Sequence, residues 1–314
     1  MKTALVGATG FVGGNLAASH AFDGLYHSTN VEKAYGTHPD LLVYAGMPAA
    51  KYLANTDPEG DWAVACGALE NMRRIAPGQL VLISTVDVYR APLGADEDTP
   101  ADPDNPAAYG RNRARLEQAV REEFPEALIV RLPALFGAGL KKNFLYDLLT
   151  LVPAMLKADK YAELAAREAL VARGYEDANN GFYRLCAKGE DAAALRAWFE
   201  KNDFNALSFT DSRAEYQFYD LSLLWRDITI ALAHGLTLLN LTAAPVRAGE
   251  VYEYLTHGGR FVNELPGEPA RYDMRTKHAA LFGGENGYCL GREEELARIA
   301  AFAAAARRQM GGDA

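Results

Sequence analysis

Gly7, Gly10 and Gly13 are the first residues whose spacing points to chemistry. They stand in Gly7-Ala8-Thr9-Gly10-Phe11-Val12-Gly13, between an apolar strand, Thr3-Ala4-Leu5-Val6, and a helix-like run from Asn15 to His20. Strand, glycine turn and helix in that order form a dinucleotide-binding fingerprint. Gly7 allows the tight turn, Gly10 lets a pyrophosphate approach the backbone, and Gly13 lets the helix lie against the strand. Thr9, Phe11 and Val12 complete the cradle, where free N–H groups and the helix dipole favour negative charge. A bare tight turn can also hold three glycines in seven residues. A second group lies downstream. Leu80-Val81-Leu82-Ile83 is an apolar run without alternation, as a buried parallel strand prefers, and it ends in Ser84-Thr85-Val86-Asp87-Val88-Tyr89. Tyr109-Gly110-Arg111-Asn112-Arg113 then opens a helix running to about Glu123. Tyr109 and Arg113 are four apart and share a helix face.

The bulk properties bound the partners. A chain of 314 residues can bury a large core, as one α/β domain or two lobes. Its net charge of -9 argues against nucleic acid, which needs clustered Lys and Arg. A nucleotide needs only a local positive site. Cys66, Cys186 and Cys289 are far apart, with no disulfide framework and no metal spacing, so a reducing cytoplasm fits and no metal is expected. Met1-Lys2 before apolar residues faintly suggests a signal peptide, but the glycines break the apolar run, and no span suits a membrane helix.

The elements that must position these residues follow in order. Gly24 to His27 reads as a second strand. About twenty residues past the glycines, where an acidic residue often bonds the adenosine ribose, stand Ser28-Thr29-Asn30. Ser28 and Asn30 can hydrogen-bond NAD or NADP, or simply form a polar strand end. Leu41 to Gly46 is a third strand whose small final residues, Ala45 and Gly46, suit a planar ligand at the sheet edge. Met47 to Gly60 reads as a loop, and Asp61 caps a helix to Ile75 with Trp62, Val64, Ala65, Leu69 and Met72 inward. Ala91 to Pro106 is a surface loop, and Leu128 to Pro133 a further strand.

Taken together, these motifs resemble the short-chain dehydrogenase/reductase superfamily, of the extended type that includes UDP-galactose 4-epimerase. The matching residues are Gly7, Gly10 and Gly13, then Thr85 ahead of Val88-Tyr89, then Tyr109, over roughly residues 1–140 and more weakly over 207–290. The resemblance implies a Rossmann-type doubly wound parallel sheet with a smaller C-terminal substrate lobe. It implies NAD or NADP as cofactor, a nucleotide-linked sugar as substrate, and a homodimer paired through a four-helix interface that includes the Tyr109 helix. Tyr109 is then the acid/base and Thr85 the hydroxyl that orients the substrate oxygen, in preference to Ser84. Hydride transfer at an oxygen-bearing carbon needs a proton to move on that oxygen. A phenol ionises near pH 10, and a fixed cation lowers that value. The family places lysine four residues on, where it also holds the nicotinamide ribose, so the resemblance puts Tyr109 and the residue at that place among the cofactor-binding residues too; here that residue is Arg113, which keeps the charge but is longer and planar. Pro133 would contact the nicotinamide.

The same resemblance places the substrate at Thr85, Asp87, Asn143 and Arg213. Arg213 is the diphosphate ligand or else a structural salt bridge. Residues 144–206 leave the family outline and read as a helical insertion, with amphipathic helices over Asp159–Arg173 and Glu190–Lys201 and a turn at Asn179-Asn180-Gly181 between them. The expected organisation is a dinucleotide-binding core over 1–140, an insertion covering the substrate cleft over 141–206, a return to the core over 207–245, and a substrate lobe with a closing helix over 246–314. Gly311 to Ala314 reads as a disordered tail. The reaction expected is epimerase or reductase rather than dehydratase, because only Asp87 lies near Thr85. The alternative is a protein that senses NAD(P) or serves as a partner subunit with little catalysis, because Arg113 replaces the lysine.

Overall fold

In the computed structural model, which describes residues 1–312, the apolar runs become strands and the segments between them helices. The chain passes through β1 (Thr3–Val6), α1 (Phe11–Ser19), β2 (Gly24–Tyr26), β3 (Leu41–Tyr44), α2 (Lys51–Thr56), α3 (Pro58–Ile75), β4 (Gln79–Thr85), α4 (Ala108–Glu123), β5 (Leu128–Leu132) and β6 (Ala134–Phe136). It continues through α5 (Phe144–Thr150), β7 (Met155–Lys157), α6 (Ala158–Arg167), α7 (Ala169–Gly174), β8 (Tyr175–Asp177), β9 (Phe182–Leu185) and α8 (Gly189–Glu200). The last elements are β10 (Glu215–Tyr216), β11 (Phe218–Asp220), α9 (Leu224–Ala233), β12 (Leu238–Asn240), β13 (Val246–Arg247), α10 (Ala248–Leu255) and α11 (Arg292–Gly312).

The first of two units comprises Met1–Gly139, Tyr216–Val246 and Arg271–Glu295. Its six-stranded sheet has the order β12-β5-β4-β3-β1-β2, with every neighbouring pair parallel. Successive residues of each strand feed opposite faces. Leu5, Val43, Val81 and Val130 pack with Leu16 of α1 and Ile228 of α9. Val6, Leu42, Leu80 and Ile129 pack with Leu69 and Met72 of α3 and Leu116 of α4. Helices therefore cover both faces, which is the doubly wound Rossmann-type arrangement. The strand order reverses between β1 and β3, and open α/β sheets bind ligands at the carboxyl ends beside such a reversal. The Gly7 turn stands there. Gly7 has φ +94°, and a Cβ on it would lie 2.4 Å from the Ala45 carbonyl oxygen. A Cβ on Gly13 would lie 2.1 Å from the Gly7 carbonyl oxygen. Both glycines are required by close backbone approach.

The first unit corrects three expectations. Met47 to Gly60 is not a loop throughout: α2 occupies Lys51–Thr56 and α3 begins at Pro58. Asp57, not Asp61, caps α3, its Oδ1 accepting from the Gly60 N–H at 3.0 Å. Pro58 at the first helical position loses no intrahelical bond there. Val64, expected inward, is exposed, whereas Ala65, Leu69 and Met72 are buried.

The second unit comprises Leu140–Glu215, Arg247–Ala270 and the chain from Leu296 onward. The expected helical insertion also contains an antiparallel sheet, β7-β9-β8, so its reading as helix alone is corrected. Leu156, Leu164, Val171, Tyr175, Leu195 and Phe199 form its core. Asn179-Asn180-Gly181 joins β8 to β9 rather than two helices, with φ +56° at Asn179 and +83° at Gly181. The helix expected over Asp159–Arg173 breaks at Glu168, which is extended and whose carboxylate accepts from the Leu170 N–H to start α7. At the C-terminus α11 continues through Gly311 and Gly312, where a tail was expected, and Asp313-Ala314 lie outside the described residues. No helix among the described residues is long and apolar enough to cross a membrane.

The two glycines of α1 separate packing from propensity. Gly13→Ala is expected to lower stability by about 1–3 kcal/mol through overpacking. Gly14→Ala, whose methyl would meet only the Ala8 carbonyl oxygen at 3.8 Å, should leave stability unchanged or raise it by up to about 1 kcal/mol. Urea unfolding of the two variants checks the contrast.

Candidate active site

β4 delivers Thr85 to the carboxyl edge of the sheet, in register with Leu132 of β5. A single helical turn follows over Val86–Val88. The Thr85 hydroxyl accepts from the Asp87 N–H at 3.2 Å and donates to Asp87 Oδ2 at 2.8 Å. α4 then starts directly against this turn. A Cβ on Gly110 would lie 2.1 Å from the Asp87 carbonyl oxygen, so only glycine permits the approach. Asn105 fixes the entry, its Nδ2 donating to the Asp87 carbonyl at 3.1 Å and its Oδ1 accepting from the Ala107 N–H at 3.0 Å. The Tyr109 N–H donates to Asn55 Oδ1 of α2 at 3.0 Å. These contacts bring Tyr109, 7% exposed, to Thr85. Ser84 faces elsewhere, donating to Glu117 Oε1 at 2.5 Å.

Burial raises the Tyr109 pKa, and it outweighs the opposing Arg113 charge. Asp87 raises it further, while Lys51 and a hydrogen bond with Thr85 act downward. The expectation of a phenol made acidic by Arg113 is thereby corrected: in the protein alone the phenol is held protonated. The geometry of Arg113 explains this. Its guanidinium carbon lies 4.6 Å from the Tyr109 ring centroid, over the ring face. Its donors are engaged by Asp61, at 2.9 and 3.1 Å to the two carboxylate oxygens, and by the Pro48 carbonyl at 2.7 Å. Asp61 also accepts from Asn112 Nδ2 at 2.9 Å.

Two residues at this cluster were not read from the sequence as part of the site. Lys51, the first residue of α2, places Nζ 2.7 Å from Asp87 Oδ1 and 5.8 Å from the Tyr109 ring centroid. Asp61 is the buried partner of Arg113. Neither had a signal, because both pairings cross between elements. Behind the cluster runs a second polar network. Arg131 of β5 and Glu117 of α4, both almost fully buried, pair at 2.5 Å. Arg131 Nη1 also donates to the Tyr89 hydroxyl at 2.6 Å, and Asn240 Nδ2 donates to the same oxygen at 2.9 Å.

The expected cofactor residues divide by place. Gly7, Thr9, Gly10, Phe11, Val12 and Gly13 form the β1–α1 turn and first helical turn, with the Gly10 N–H donating to the Gly7 carbonyl at 2.9 Å. The N–H groups of Phe11, Val12 and Gly13 have no carbonyl four residues back within the helix. Ala45 and Gly46 follow β3, the Ala45 N–H donating to the Val6 carbonyl at 2.8 Å. Pro133 follows β5 at the same sheet edge as Thr85. Ser28 is exposed, and Asn30 Oδ1 accepts from the His27 N–H at 2.7 Å.

The two expected substrate residues beyond residue 140 belong to the second unit. Asn143 caps α5, its Oδ1 accepting from the Leu145 and Tyr146 N–H groups at 3.0 and 3.2 Å, with φ +95°. Such a backbone is costly for a residue with a side chain and persists where surroundings enforce it. Arg213 is engaged by Asp211 at 2.7 Å and Glu264 at 3.2 Å, which is the salt-bridge role. It holds the Asp211 carboxyl well below its ordinary range. Asp147, one helical turn after Asn143, was not read from the sequence; burial pushes its carboxyl up to about 7.

The sequence over residues 1–160 matches the family described as the RmlD substrate binding domain. The chain belongs to that family. Its kinship with extended short-chain dehydrogenase/reductases is thereby established. No curated protein matches the sequence. Solved structures share the fold at low identity. UDP-glucose 4-epimerase of Thermotoga maritima, solved with UDP-glucose, has a TM-score of 0.64 at 11% identity, over 99% of this chain and 100% of that one. dTDP-4-dehydrorhamnose reductase of Clostridium acetobutylicum has 0.61 at 13%, over 98% and 100%. RMD of Pseudomonas aeruginosa, complexed with NADPH, has 0.62 at 16%, over 98% and 100%.

Two outcomes follow from the charges. Arg113→Met leaves the Asp61 carboxylate buried without its ion partner, and unfolding should show a loss of about 3–5 kcal/mol. Asp147 binds a proton more tightly in the folded than in the unfolded chain. Stability should therefore fall as pH rises from near 3.8 to about 7, by at most about 4 kcal/mol, since each pH unit contributes about 1.4 kcal/mol. Urea unfolding of Asp147→Asn across that range should show the slope flattened.

Proposed function

We propose that this protein is an NAD(P)-dependent reductase or epimerase of a nucleotide-linked sugar. The observation that carries the reading is the close packing of the start of α4, with the buried Tyr109, against the Thr85–Asp87 turn at the carboxyl edge of the sheet whose switch point holds the Gly7 turn. That turn fits a dinucleotide: side-chain-free positions at Gly7 and Gly13 bring backbone together, and the first turn of α1 offers N–H groups to a pyrophosphate. Gly7, Thr9, Gly10, Phe11, Val12 and Gly13 would hold the phosphates, Ala45, Gly46 and Pro133 would flank the rings, and Ser28 and Asn30 would meet the adenosine ribose of NAD or NADP. The bound nicotinamide supplies or takes up the hydride.

The residues of this chain do the rest. In the reductive direction the carbonyl carbon gains the hydride, its C–O double bond becomes single, and Tyr109 gives its hydroxyl proton to the oxygen. Thr85 orients that oxygen. A phenol held protonated by burial suits this direction, because the acid is already loaded. Asp87 fixes the Thr85 rotamer through the 2.8 Å bond. Asn143, and Arg213 if its carboxylate partners yield it, would meet the nucleotide diphosphate. The same reading takes the protein to act in the cytoplasm as a homodimer paired through the Tyr109 helix. A second reading, a cofactor-binding sensor or partner subunit with little catalysis, draws on the engagement of Arg113 by Asp61.

The two readings part on turnover. NADH and NADPH consumption is followed with UDP- and dTDP-linked 4-keto sugars, and conversion of the 4-hydroxy sugars to their epimers is followed by chromatography with NAD+ or NADP+ present. Tyr109→Phe should lower kcat by about 10²–10⁴-fold while cofactor binding, measured by fluorescence, stays unchanged. Cofactor binding with no turnover of any such sugar, or turnover indifferent to Tyr109→Phe, removes the enzyme reading.

A further inference from the structure

The family's lysine is missing four residues after Tyr109, and the arginine in its place has its donors committed. A different cation reaches the same cluster from outside the helix. Lys51 Nζ lies 2.7 Å from Asp87 Oδ1, and Asp87 Oδ2 accepts from the Thr85 hydroxyl at 2.8 Å. The ammonium, the carboxylate and the hydroxyl thus form one chain, and the ammonium lies 5.8 Å from the centroid of the Tyr109 ring. α2 is tied to this site at a second point. Asn55, one helical turn after Lys51, accepts from the Tyr109 N–H at 3.0 Å. Residues four apart share a helix face, so one face of α2 touches both the start of α4 and the charge cluster. A third tie precedes α2: Arg113 donates to the Pro48 carbonyl at 2.7 Å.

We infer that Lys51 is the positioning cation of this site, taking over the charge that the family draws from the lysine after the tyrosine, while Arg113 serves as the clamp that holds the approach to α2. This rests on Tyr109 being the acid/base. The groups that face Tyr109 are Thr85 of β4, Asp87 of the following turn, Lys51 of α2 and Arg113 of its own helix. Tyr272 lies near Lys51 as well. Lys51 matters because Asp87, left alone, would oppose ionisation of the phenol. Burial disfavours the ammonium, yet the charge and hydrogen bond of Asp87, with Tyr272 and Tyr109, together leave the Lys51 pKa raised, so the charge is kept across the neutral range. Its side chain is 55% exposed, unlike that of Arg113 at 3%.

The test uses the full chain and two variants, Lys51→Met and Lys51→Arg, neither of which empties a core position. Tyr109 is labelled with ¹³C at the phenol carbon, its resonance is assigned by its absence in Tyr109→Phe, and its ionisation is followed without substrate over the alkaline range in which the fold is intact. Lys51→Met should move the ionisation to higher pH, and Lys51→Arg should restore it. In the alcohol-oxidising direction the rising, acid-side limb of the kcat profile should move the same way, with kcat at neutral pH down roughly tenfold, the effect of one pH unit, and KM little changed. An unmoved Tyr109 titration in Lys51→Met overturns the assignment. The titration needs no turnover, so a shifted titration beside absent nucleotide-sugar activity sinks the functional reading and leaves the role of Lys51 standing.

Discussion

The Arg113–Asp61 ion pair is the constraint on which the site's shape depends. Both side chains are almost fully buried, at 3% and 8% exposure. Burying two charges costs several kcal/mol each, offset only when geometry is close and the remaining donors and acceptors are filled. Here they are filled. The guanidinium takes both oxygens of Asp61 and the Pro48 carbonyl, and Asn112 adds a donor to Asp61. One pair therefore joins α3, α4 and the segment before α2. Those pieces carry Asn55 to the Tyr109 N–H and Lys51 to Asp87. An arginine suits this use better than a lysine, since its planar fork meets a carboxylate through two parallel bonds.

Two separate polar systems flank β4, and the strand's alternation keeps them apart. Thr85 faces Asp87, whereas Ser84 faces Glu117 and, through it, Arg131. The second system is buried, with Arg131 anchored by Glu117 and Tyr89. Its satisfied donors and acceptors make it rigid. That rigidity fixes β5 beside β4, and with it the edge on which Thr85 stands. The first system stays adjustable, because Lys51 reaches it from solvent.

What could be read from the residues follows from where the information lies. Uninterrupted apolar runs such as Leu80 to Ile83 mark strands covered on both faces, so the sheet and its helices were legible. The glycine turn and Tyr109 were legible because each depends on local spacing. α2 was not: six residues between Pro48 and Pro58 carry no helical period long enough to register. The start of α3 could have been found, since Asp57-Pro58 is a cap followed by proline at the first helical position. Asp61 and Lys51 had no local signature, as their meaning lies in partners 52 and 36 positions away. The strands at 155–185 are three or four residues long, too short for alternation to declare them.

The state of the phenol follows from how these charges cancel. Arg113 stands against Asp61, and Lys51 against Asp87, so two cations near Tyr109 are matched by two carboxylates. At Tyr109 the Arg113 and Lys51 charges favour the anion, and burial with Asp87 outweighs them in favour of the neutral hydroxyl. The sequence change from lysine to arginine thus alters more than side-chain length, because the arginine brings its own counter-ion. A neutral, buried phenol beside an orienting threonine is a proton donor awaiting an oxygen that gains charge. It becomes a base only if Asp87 is drawn away from Lys51, which a polar substrate group hydrogen-bonding to that carboxylate would do.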